Sequence, residues 1–238
     1  MPTPERLIRR LLQLADTTPQ DVVLDLGSGD GRIPIYAARH FGARGIGVEL
    51  EGNLVALSRK TAQAQGVAKR VRFLQQDLFE ADLSGASVVT LYISPGVMER
   101  LKPKLLGLKP GTRVVSHQFT LGDWEPDEVV QVEGRTGYLW VVPAAVAGDW
   151  RVNLGNEMFR IRIEQRHQAL RTDGERDGTD LPVIGARLRG TEIRFTSFDR
   201  DGAVRHFSGR VEGTRQGARL AGTSEGPGIE PRRWTAAR

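Results

Sequence analysis

Residues 22–32 read Val-Val-Leu-Asp-Leu-Gly-Ser-Gly-Asp-Gly-Arg, and this stretch decides the fold of the first part of the chain. An apolar run that carries one acid, Asp25, leads into three glycines at alternate positions, Gly27, Gly29 and Gly31. A helical pattern follows directly. The stretch therefore predicts a strand, a tight glycine turn and a helix start, an arrangement in which backbone approaches a nucleotide-like ligand closely.

The residues around the glycines narrow the class of ligand. A dinucleotide fingerprint would need glycine at position 32, which is Arg32, and the Gly-Lys-Ser/Thr of a phosphate-binding loop is absent. Asp25 would repel a pyrophosphate, whereas it suits a ligand with cationic groups. S-adenosylmethionine meets that requirement because it carries a sulfonium and an ammonium group and no phosphate.

Two later segments also end in an acid where a strand is predicted to end. The segment 45–49 ends in Glu49, about 20 residues beyond the glycine loop, the spacing of a group that accepts both ribose hydroxyls. The segment 71–77 ends in Asp77, which is placed to accept from an adenine amino group. Each acid alone is also typical of a helix N-cap. Together, at strand ends that meet at one edge of an α/β sheet, they favour a nucleoside site.

Composition excludes several classes of function. The 238 residues contain no cysteine, which excludes disulfides, thiol catalysis and cysteine metal sites. The net charge of +5 is dispersed, with 17 basic against 16 acidic residues in 1–145 and 17 against 13 in 146–238. Because no basic run is longer than a pair, we expect no dedicated nucleic-acid site. The His, Asp and Glu spacings also predict no metal site.

Segments that would direct the chain to a membrane are not evident in the sequence. No apolar run of about 18 residues indicates a membrane-spanning helix. The first five residues, Met-Pro-Thr-Pro-Glu, lack the basic and apolar regions of a signal peptide. The expectation is a cytoplasmic protein.

Residues 1–145 alternate between strand and helix patterns and predict a doubly wound α/β sheet. Thr3 is the predicted N-cap of a first helix and Pro4 its first residue. A hairpin is predicted from two β-rich stretches that flank a turn at 133–137, which adds one antiparallel strand. Strands are expected near 22–26, 45–49, 71–75, 87–93 and 112–117, and helices near 31–41, 52–65 and 97–107.

The pattern changes beyond a short, small-residue linker at 143–149. Segments such as 158–164 and 192–196 alternate apolar and polar residues, and Asp-Gly pairs supply turns. Residues 146–238 are therefore expected to form a second domain, a small antiparallel all-β meander or barrel-like module.

Several motifs of residues 2 to about 142 resemble the seven-β-strand S-adenosylmethionine-dependent protein lysine methyltransferases. The likeness is to broad-specificity archaeal enzymes and, more distantly, to ATP synthase c-subunit lysine methyltransferases. It implies a Rossmann-like fold, a protein acceptor and S-adenosylmethionine as cofactor. The motifs are Pro-Thr-Pro-Glu at 2–5, the loop 25–32, Gly-Val-Glu at 47–49, the segments 101–105 and 108–117, and Trp-Glu-Pro at 124–126.

The resemblance also implies where cofactor and acceptor bind. The acceptor docks after the fourth strand, at Tyr-Ile-Ser-Pro-Gly 92–96, which lacks the Asn/Asp-Pro-Pro-Tyr motif of amide and adenine methyltransferases. Candidate acceptor-site residues are Tyr92, Ser94, His117 and Trp124. Candidate cofactor-binding residues are Thr3, Pro4, Asp25, Gly27, Ser28, Gly29, Glu49, Asp77 and Leu78.

Each acceptor-site candidate also has a structural interpretation, and the function has alternatives. His117 could receive a proton or simply bond to backbone, while Tyr92 and Trp124 could contact the acceptor or belong to the core. The leading hypothesis is a protein-lysine methyltransferase. The alternatives are a small-molecule or RNA methyltransferase and a non-catalytic cofactor-binding scaffold.

Overall fold

Two compact units, Met1–Val142 and Pro143–Arg238, make up the chain. The structure, a computed structural model, describes residues 2–213 and 217–238. In the first unit the strands are β1 (Val22–Leu26), β2 (Arg44–Glu49), β3 (Val71–Gln75), β4 (Val88–Leu91), β5 (Arg113–His117), β6 (Glu128–Val132) and β7 (Arg135–Val141). The helices are α1 (Glu5–Leu14), α2 (Arg32–His40), α3 (Gly52–Ala64) and α4 (Pro95–Leu106).

The seven strands form one sheet in the order β3-β2-β1-β4-β5-β7-β6. The first five strands of this order are parallel, and β7 is antiparallel to both β5 and β6. The strand order reverses beside β1, the position at which open α/β sheets bind ligands beyond the carboxyl ends of their strands. The predicted Rossmann-like sheet is confirmed.

The helices cover the two faces of this sheet unequally. Side chains alternate between the faces, so Val23 packs with α1 and α2, whereas its neighbour Leu24 packs in the cluster that contains α4. A third cluster joins α2 and α3 around the buried Phe73 of β3. The connection from β3 to β4, residues 76–87, consists of turns and bends. On the face with α4, this connection contributes the buried residues Ala81, Leu83 and Ala86 in place of a helix.

Two local predictions were wrong. Helix α1 begins at Glu5 with Pro4 as N-cap, because the Thr3 hydroxyl bonds to His117 instead of capping the helix. The hairpin turn is only Glu133-Gly134, both at positive φ, 50° and 76°, so β7 begins at Arg135. Gly137, which was placed in the turn, is a strand residue. A Cβ there would lie 2.6 Å from Leu11 Cδ2 of α1.

The second unit is a closed antiparallel barrel. Its strands are β8 (Gly148–Leu154), β9 (Glu157–Arg166), β10 (Ala169–Arg176), β11 (Thr179–Leu181), β12 (Ile184–Arg189), β13 (Glu192–Phe198), β14 (Val204–Glu212), β15 (Arg219–Gly226) and β16 (Ile229–Ala237). Each of the eight main strands pairs with its neighbours along the chain, and β16 pairs with β8. The short strand β11 pairs with β10 alone. Closure reduces the number of open strand edges, although β10 and β12 are joined by the single pair Ala169 and Arg187.

Aromatic side chains fill the barrel interior. Phe195 and Phe207 stack with ring centroids 4.6 Å apart, and Trp234 meets both edge-on at 5.5 and 5.8 Å. Trp150 and Phe159 belong to the same buried cluster. The predicted all-β module is confirmed, and its centre is a packed core.

Substitution of Gly31 tests how tightly the first sheet is packed against its helices. It has a φ of +76°, and a Cβ there would lie 2.6 Å from the Phe73 ring and 2.7 Å from Ser58 Cβ. Gly134 has the same φ in open space. Gly31→Ala and Gly134→Ala should both lose about 1 kcal/mol to the left-handed backbone. Gly31→Ala should lose roughly 1–3 kcal/mol more through overpacking.

Urea unfolding of the two variants and the wild type measures this difference. Equal losses for the two variants would show that Phe73 and Ser58 move aside without penalty.

Candidate active site

The glycine loop after β1 folds over the end of β2. The N–H groups of Gly27 and Ser28 both donate to the Val48 carbonyl, at 2.9 and 3.0 Å. Gly27, Gly29 and Gly31 all have positive φ, between 53° and 76°. A Cβ on Gly29 would meet no atom within 4 Å, so the backbone borders open space there. A ligand can therefore approach the main chain at Gly29.

Glu49, the last residue of β2, is held by the main chain around it. Its Oε2 accepts from the Gly29 N–H at 2.8 Å. Its Oε1 accepts from the N–H groups of Leu50 and Glu51 at 2.8 and 3.0 Å. A carboxylate offers about four acceptor positions, so these three bonds leave room for about one further donor. A ligand that offers two hydroxyls would have to displace one of the backbone bonds.

Asp25 lies deep beneath the loop, with only 3% of its surface exposed. Thr90 Oγ1 donates to its Oδ1 at 2.5 Å. Burial, reinforced by the nearby charges of Asp30 and Glu49, raises the pKa of the Asp25 carboxyl to about 7 although the Thr90 bond opposes this. An added positive charge nearby would favour the ionised form. The site thus has the electrostatics of a receptor for a cation.

The third predicted acid, Asp77, lies just beyond β3 and is exposed. Its Oδ1 accepts from the Phe79 N–H at 2.8 Å, which forms a local turn. The next residue, Leu78, is half-buried and packs against the cluster that contains α4. An acid and an apolar side chain therefore lie side by side beyond the strand end.

The segment before α1 is bonded to the end of β5 and to the start of α2. Thr3 is buried, and its Oγ1 lies 3.1 Å from His117 Nδ1 at the end of β5. Its carbonyl accepts from Arg32 Nη1 at 3.3 Å, and Arg32 Nη2 lies 2.5 Å from Asp30 Oδ2. This pairing with Arg32 lowers the pKa of Asp30. Our sequence interpretation missed this use of Asp30 and Arg32, although both follow the last glycines of the motif.

Aromatic rings line the end of β4 and the start of α4. The Tyr92 ring stacks on His117 with centroids 4.0 Å apart and lies 6.3 Å from Phe119. Tyr92 is 36% exposed, and Ser94, the N-cap of α4, is exposed and makes no side-chain capping bond. Phe119, which the sequence pattern did not single out, joins this group through the bend after β5.

His117 is buried beneath Tyr92. Burial lowers the pKa of its imidazole, and the positive charge of Arg135 lowers it further. The ring is therefore neutral at pH 7. Its Nδ1 bonds to the Thr3 hydroxyl. The structural interpretation of His117 predicted a hydrogen bond to backbone, whereas the observed partner is a side chain.

Trp124 lies apart from this aromatic group. It is fully buried in the cluster with α4, and its carbonyl accepts from Trp140 Nε1 at 2.7 Å. The sequence allowed Trp124 either to contact the acceptor or to belong to the core, and its burial agrees with a core residue. Within residues 2–213 and 217–238, no cluster of three His, Asp or Glu side chains could hold a metal ion. No helix in the same ranges is long and apolar enough to cross a membrane.

Comparisons with known proteins agree with this geometry. A family model described as the ANTKMT methyltransferase domain matches residues 25–128. A protein-lysine N-methyltransferase of Saccharolobus islandicus is 43% identical over 148 residues, which cover 60% of this chain and 92% of that protein. The chain belongs to this family of S-adenosylmethionine-dependent methyltransferases.

Two further relatives extend the comparison. A mouse adenine nucleotide translocase lysine N-methyltransferase is 39% identical over 127 residues, which span 52% of this methyltransferase and 55% of the mouse protein. A crystal structure of an RNA methyltransferase from Salinibacter ruber with S-adenosyl-L-homocysteine is 53% identical, with a TM-score of 0.60. It covers 61% of this methyltransferase and 96% of that chain.

The predicted cofactor, S-adenosylmethionine, is confirmed, and the residues at the strand ends fit it. Gly29 leaves open space at the main chain, and Asp25 is a buried acid that gains from a neighbouring cation. In addition, the buried Ser28 hydroxyl has no hydrogen-bond partner among the described residues. These groups suit a ligand with hydroxyl and cationic parts.

The raised pKa of Asp25 predicts a pH dependence of stability. The folded-state pKa, about 7, lies above the ordinary value of 3.8, so the folded protein holds a proton that the unfolded chain releases. Asp25 therefore contributes stability below about pH 4 that is lost as the pH rises to 7, by roughly 2–4 kcal/mol. Asp25→Asn should not show this loss.

Urea unfolding of wild type and Asp25→Asn between pH 4.5 and 8, without cofactor, measures the effect. The free energy of unfolding of the wild type, relative to the variant, should fall with pH and level off above 7. A constant difference would mean that the Asp25 carboxyl keeps its ordinary pKa.

The contacts of Glu49 predict that it matters for both loop and cofactor. Glu49→Ala removes the acceptor of three N–H groups and the open position beside them, so cofactor affinity should fall by roughly 1.5–3 kcal/mol. The exposed Glu51, two residues on, makes no side-chain capping bond. Glu51→Ala is therefore a charge-matched control that should keep affinity within about twofold. Calorimetric titration with S-adenosylmethionine distinguishes them, and unchanged affinity in Glu49→Ala would refute the role of Glu49.

Proposed function

We propose that this enzyme transfers methyl groups from S-adenosylmethionine to lysine side chains of acceptor proteins. The observation that most supports this proposal is the group of aromatic rings of Tyr92, His117 and Phe119. The group lies beside the ends of β1 and β2, where the cofactor binds in this proposal. The archaeal and mouse relatives described above, both named as lysine N-methyltransferases, support the same acceptor class.

The cofactor supplies a methyl group on a positively charged sulfur, and the protein's task is to hold it in line with the acceptor. We assign the cationic end of the cofactor to the neighbourhood of Asp25 and the main chain at Gly27 and Gly29. Glu49 takes a ribose hydroxyl at its open acceptor position. Asp77 and Leu78 lie beside the adenine, where they offer a carboxylate and an apolar surface.

Thr3 and Pro4 form a further wall of the cofactor site. Thr3 is joined to His117 on one side and to Arg32 on the other, so the segment crosses between the end of β5 and the start of α2. Ser28 adds a buried hydroxyl under the loop. The resemblance of the Pro-Thr-Pro motif to related enzymes supports this assignment.

The acceptor lysine enters beside Tyr92 and Ser94 in this proposal. An aromatic face attracts an ammonium group and also packs against its aliphatic stem. The amine must lose its proton before or during attack. His117 is neutral at pH 7 and has one ring nitrogen beyond its bond to Thr3, so it is the candidate proton acceptor as well as the support of Tyr92.

RNA is the second candidate acceptor because the Salinibacter relative is named an RNA methyltransferase. The loop after β4 does not carry the Asn/Asp-Pro-Pro-Tyr motif, which disfavours methylation of adenine. A non-catalytic scaffold is disfavoured by the complete set of acids and glycines at the strand ends.

Transfer of tritiated methyl groups from the cofactor separates these functions. The purified enzyme is incubated with a protein extract, an RNA pool and no acceptor. We expect label in protease-sensitive material that yields methyl-lysine after acid hydrolysis. Label only in nuclease-sensitive material would establish RNA as the acceptor, and no label in either pool would favour the scaffold.

Tyr92 provides a sharper prediction for the acceptor site. Tyr92→Ala removes the aromatic face and should raise KM for a lysine-containing peptide roughly tenfold, equivalent to about 1–2 kcal/mol. Tyr92→Phe keeps the ring and should stay close to wild type. Cofactor affinity, measured by calorimetry, should be unchanged in both variants. An unchanged KM in Tyr92→Ala would remove Tyr92 from the acceptor site.

A further inference from the structure

A groove of about 500 Å³ lies at the amino ends of β1, β2 and β3. It is therefore at the opposite end of the sheet from the carboxyl-end site. Its lining is Val22, Arg44, Gly45, Ile46, Lys69, Arg70, Val71, Arg72 and Gly85. None of these residues takes part in the site described above.

The strand register, together with the alternation of side chains between the two faces, places four of these side chains on one face of the sheet. Val22 pairs with Arg44, and Ile46 pairs with Arg72. Positions 22, 44, 46 and 72 alternate in step with Leu24 and therefore share its face, the one that α4 covers elsewhere. No helix lies between β3 and β4 to cover this end of it. The connection between them packs Ala81, Leu83 and Ala86 onto this face, but it leaves the groove beside Gly85 open, where a partner can dock.

The groove combines an apolar floor with a positively charged rim. Val22 and Ile46 are half-buried on this face, whereas Arg44, Lys69, Arg70 and Arg72 are exposed. The side chain of Val71 packs with α2 and α3 on the other face, so only its backbone borders the groove. One guanidinium, that of Arg70, donates to the Gly42 carbonyl at 2.7 Å. No carboxylate is among the described residues that line the groove, so nothing in it neutralises the four positive charges.

We propose that this groove is a docking site for an acidic amphipathic segment of the acceptor protein, separate from the methylated lysine. The inference rests on the proposed protein-lysine methyltransferase activity. Apolar side chains of the segment cover the floor, and its carboxylates meet the rim. Single-stranded nucleic acid fits less well, because base stacking needs aromatic side chains and the described lining has none.

The location gives the groove a defined kinetic role. A five-residue strand spans about 17 Å, so an acceptor protein can reach both ends of the sheet at once. Contacts in the groove are equal in ground and transition states, so they lower KM without changing kcat. A short lysine peptide without an acidic segment gains nothing from the groove.

Direct binding is the first arm of the test. The probe is a fluorescein-labelled, lysine-free peptide of about 16 residues with Glu on one helical face and Leu on the other. Its anisotropy is measured with the full-length enzyme at two salt concentrations, beside a labelled oligouridine. The variants are Arg44→Glu/Arg72→Glu and, as a matched control, Arg9→Glu/Arg10→Glu on the exposed side of α1. Cofactor affinity and unfolding midpoint verify that both variants are folded.

We expect salt-sensitive binding of the peptide, at least tenfold weaker in Arg44→Glu/Arg72→Glu and within twofold of wild type in the control. Absence of binding by the wild type, or equal loss in both variants, overturns the proposal. So does oligouridine that binds more tightly than the peptide and loses affinity in the groove variant, since the groove would then be a nucleic-acid site.

Methylation is the second arm. One lysine peptide is used alone and fused to the acidic segment through about 20 Gly/Ser residues, whose root-mean-square length is roughly 25 Å. The fused peptide should have about tenfold lower KM and the same kcat with wild type, and Arg44→Glu/Arg72→Glu should remove this advantage. An equal KM for both peptides overturns the docking role. If neither peptide is methylated, the proposed methyltransferase activity is wrong. The peptide-binding measurements then test the docking site by themselves.

Discussion

The bonds between the glycine loop and the end of β2 are the constraint on which the rest of the site depends. Two N–H groups of the loop share the Val48 carbonyl, and the Gly29 N–H binds the Glu49 carboxylate. The loop can follow this path only because its glycines adopt positive φ without steric cost. Asp25 lies beneath the loop, the open space lies above it, and α2 begins directly after it.

The site is electrostatically incomplete without a cation. Asp25 is buried with Glu49 and Asp30 as charged neighbours, and Arg32 neutralises Asp30 by direct pairing. The raised pKa of Asp25 is the consequence of that arrangement. A positively charged ligand would stabilise the ionised carboxylate, and S-adenosylmethionine carries two positive groups.

The two units cover the edges and faces of their sheets in different ways. The barrel closes on itself, and aliphatic and aromatic side chains fill its interior. The open sheet of the first unit relies on helices, and one end of one face receives none. The first unit therefore presents both a ligand-binding edge and an open groove, whereas the described barrel interior is a packed core.

Most of the first unit could be predicted from the sequence, for a physical reason. Strand and helix periods and the glycine motif are local properties, so β1, β2 and β3 were predicted close to their observed bounds, and the three acids lie at or near their carboxyl ends. The errors also have a physical cause. Thr3 was read as a helix cap and Gly137 as a turn residue because both types have those roles locally. Their actual partners, His117 and Leu11, are more than a hundred residues away along the chain.

The sequence by itself determined the fold class, the cofactor and the acids at the strand ends, since these follow from local patterns. Only the tertiary structure decided which side chains meet. It stacked Tyr92 on His117, placed Trp124 in the core, joined Arg32 to Thr3 and Asp30, and left an open groove at Arg44 and Arg72. These contacts depend on strand order and on which faces the helices cover, and neither is written in any single stretch of sequence.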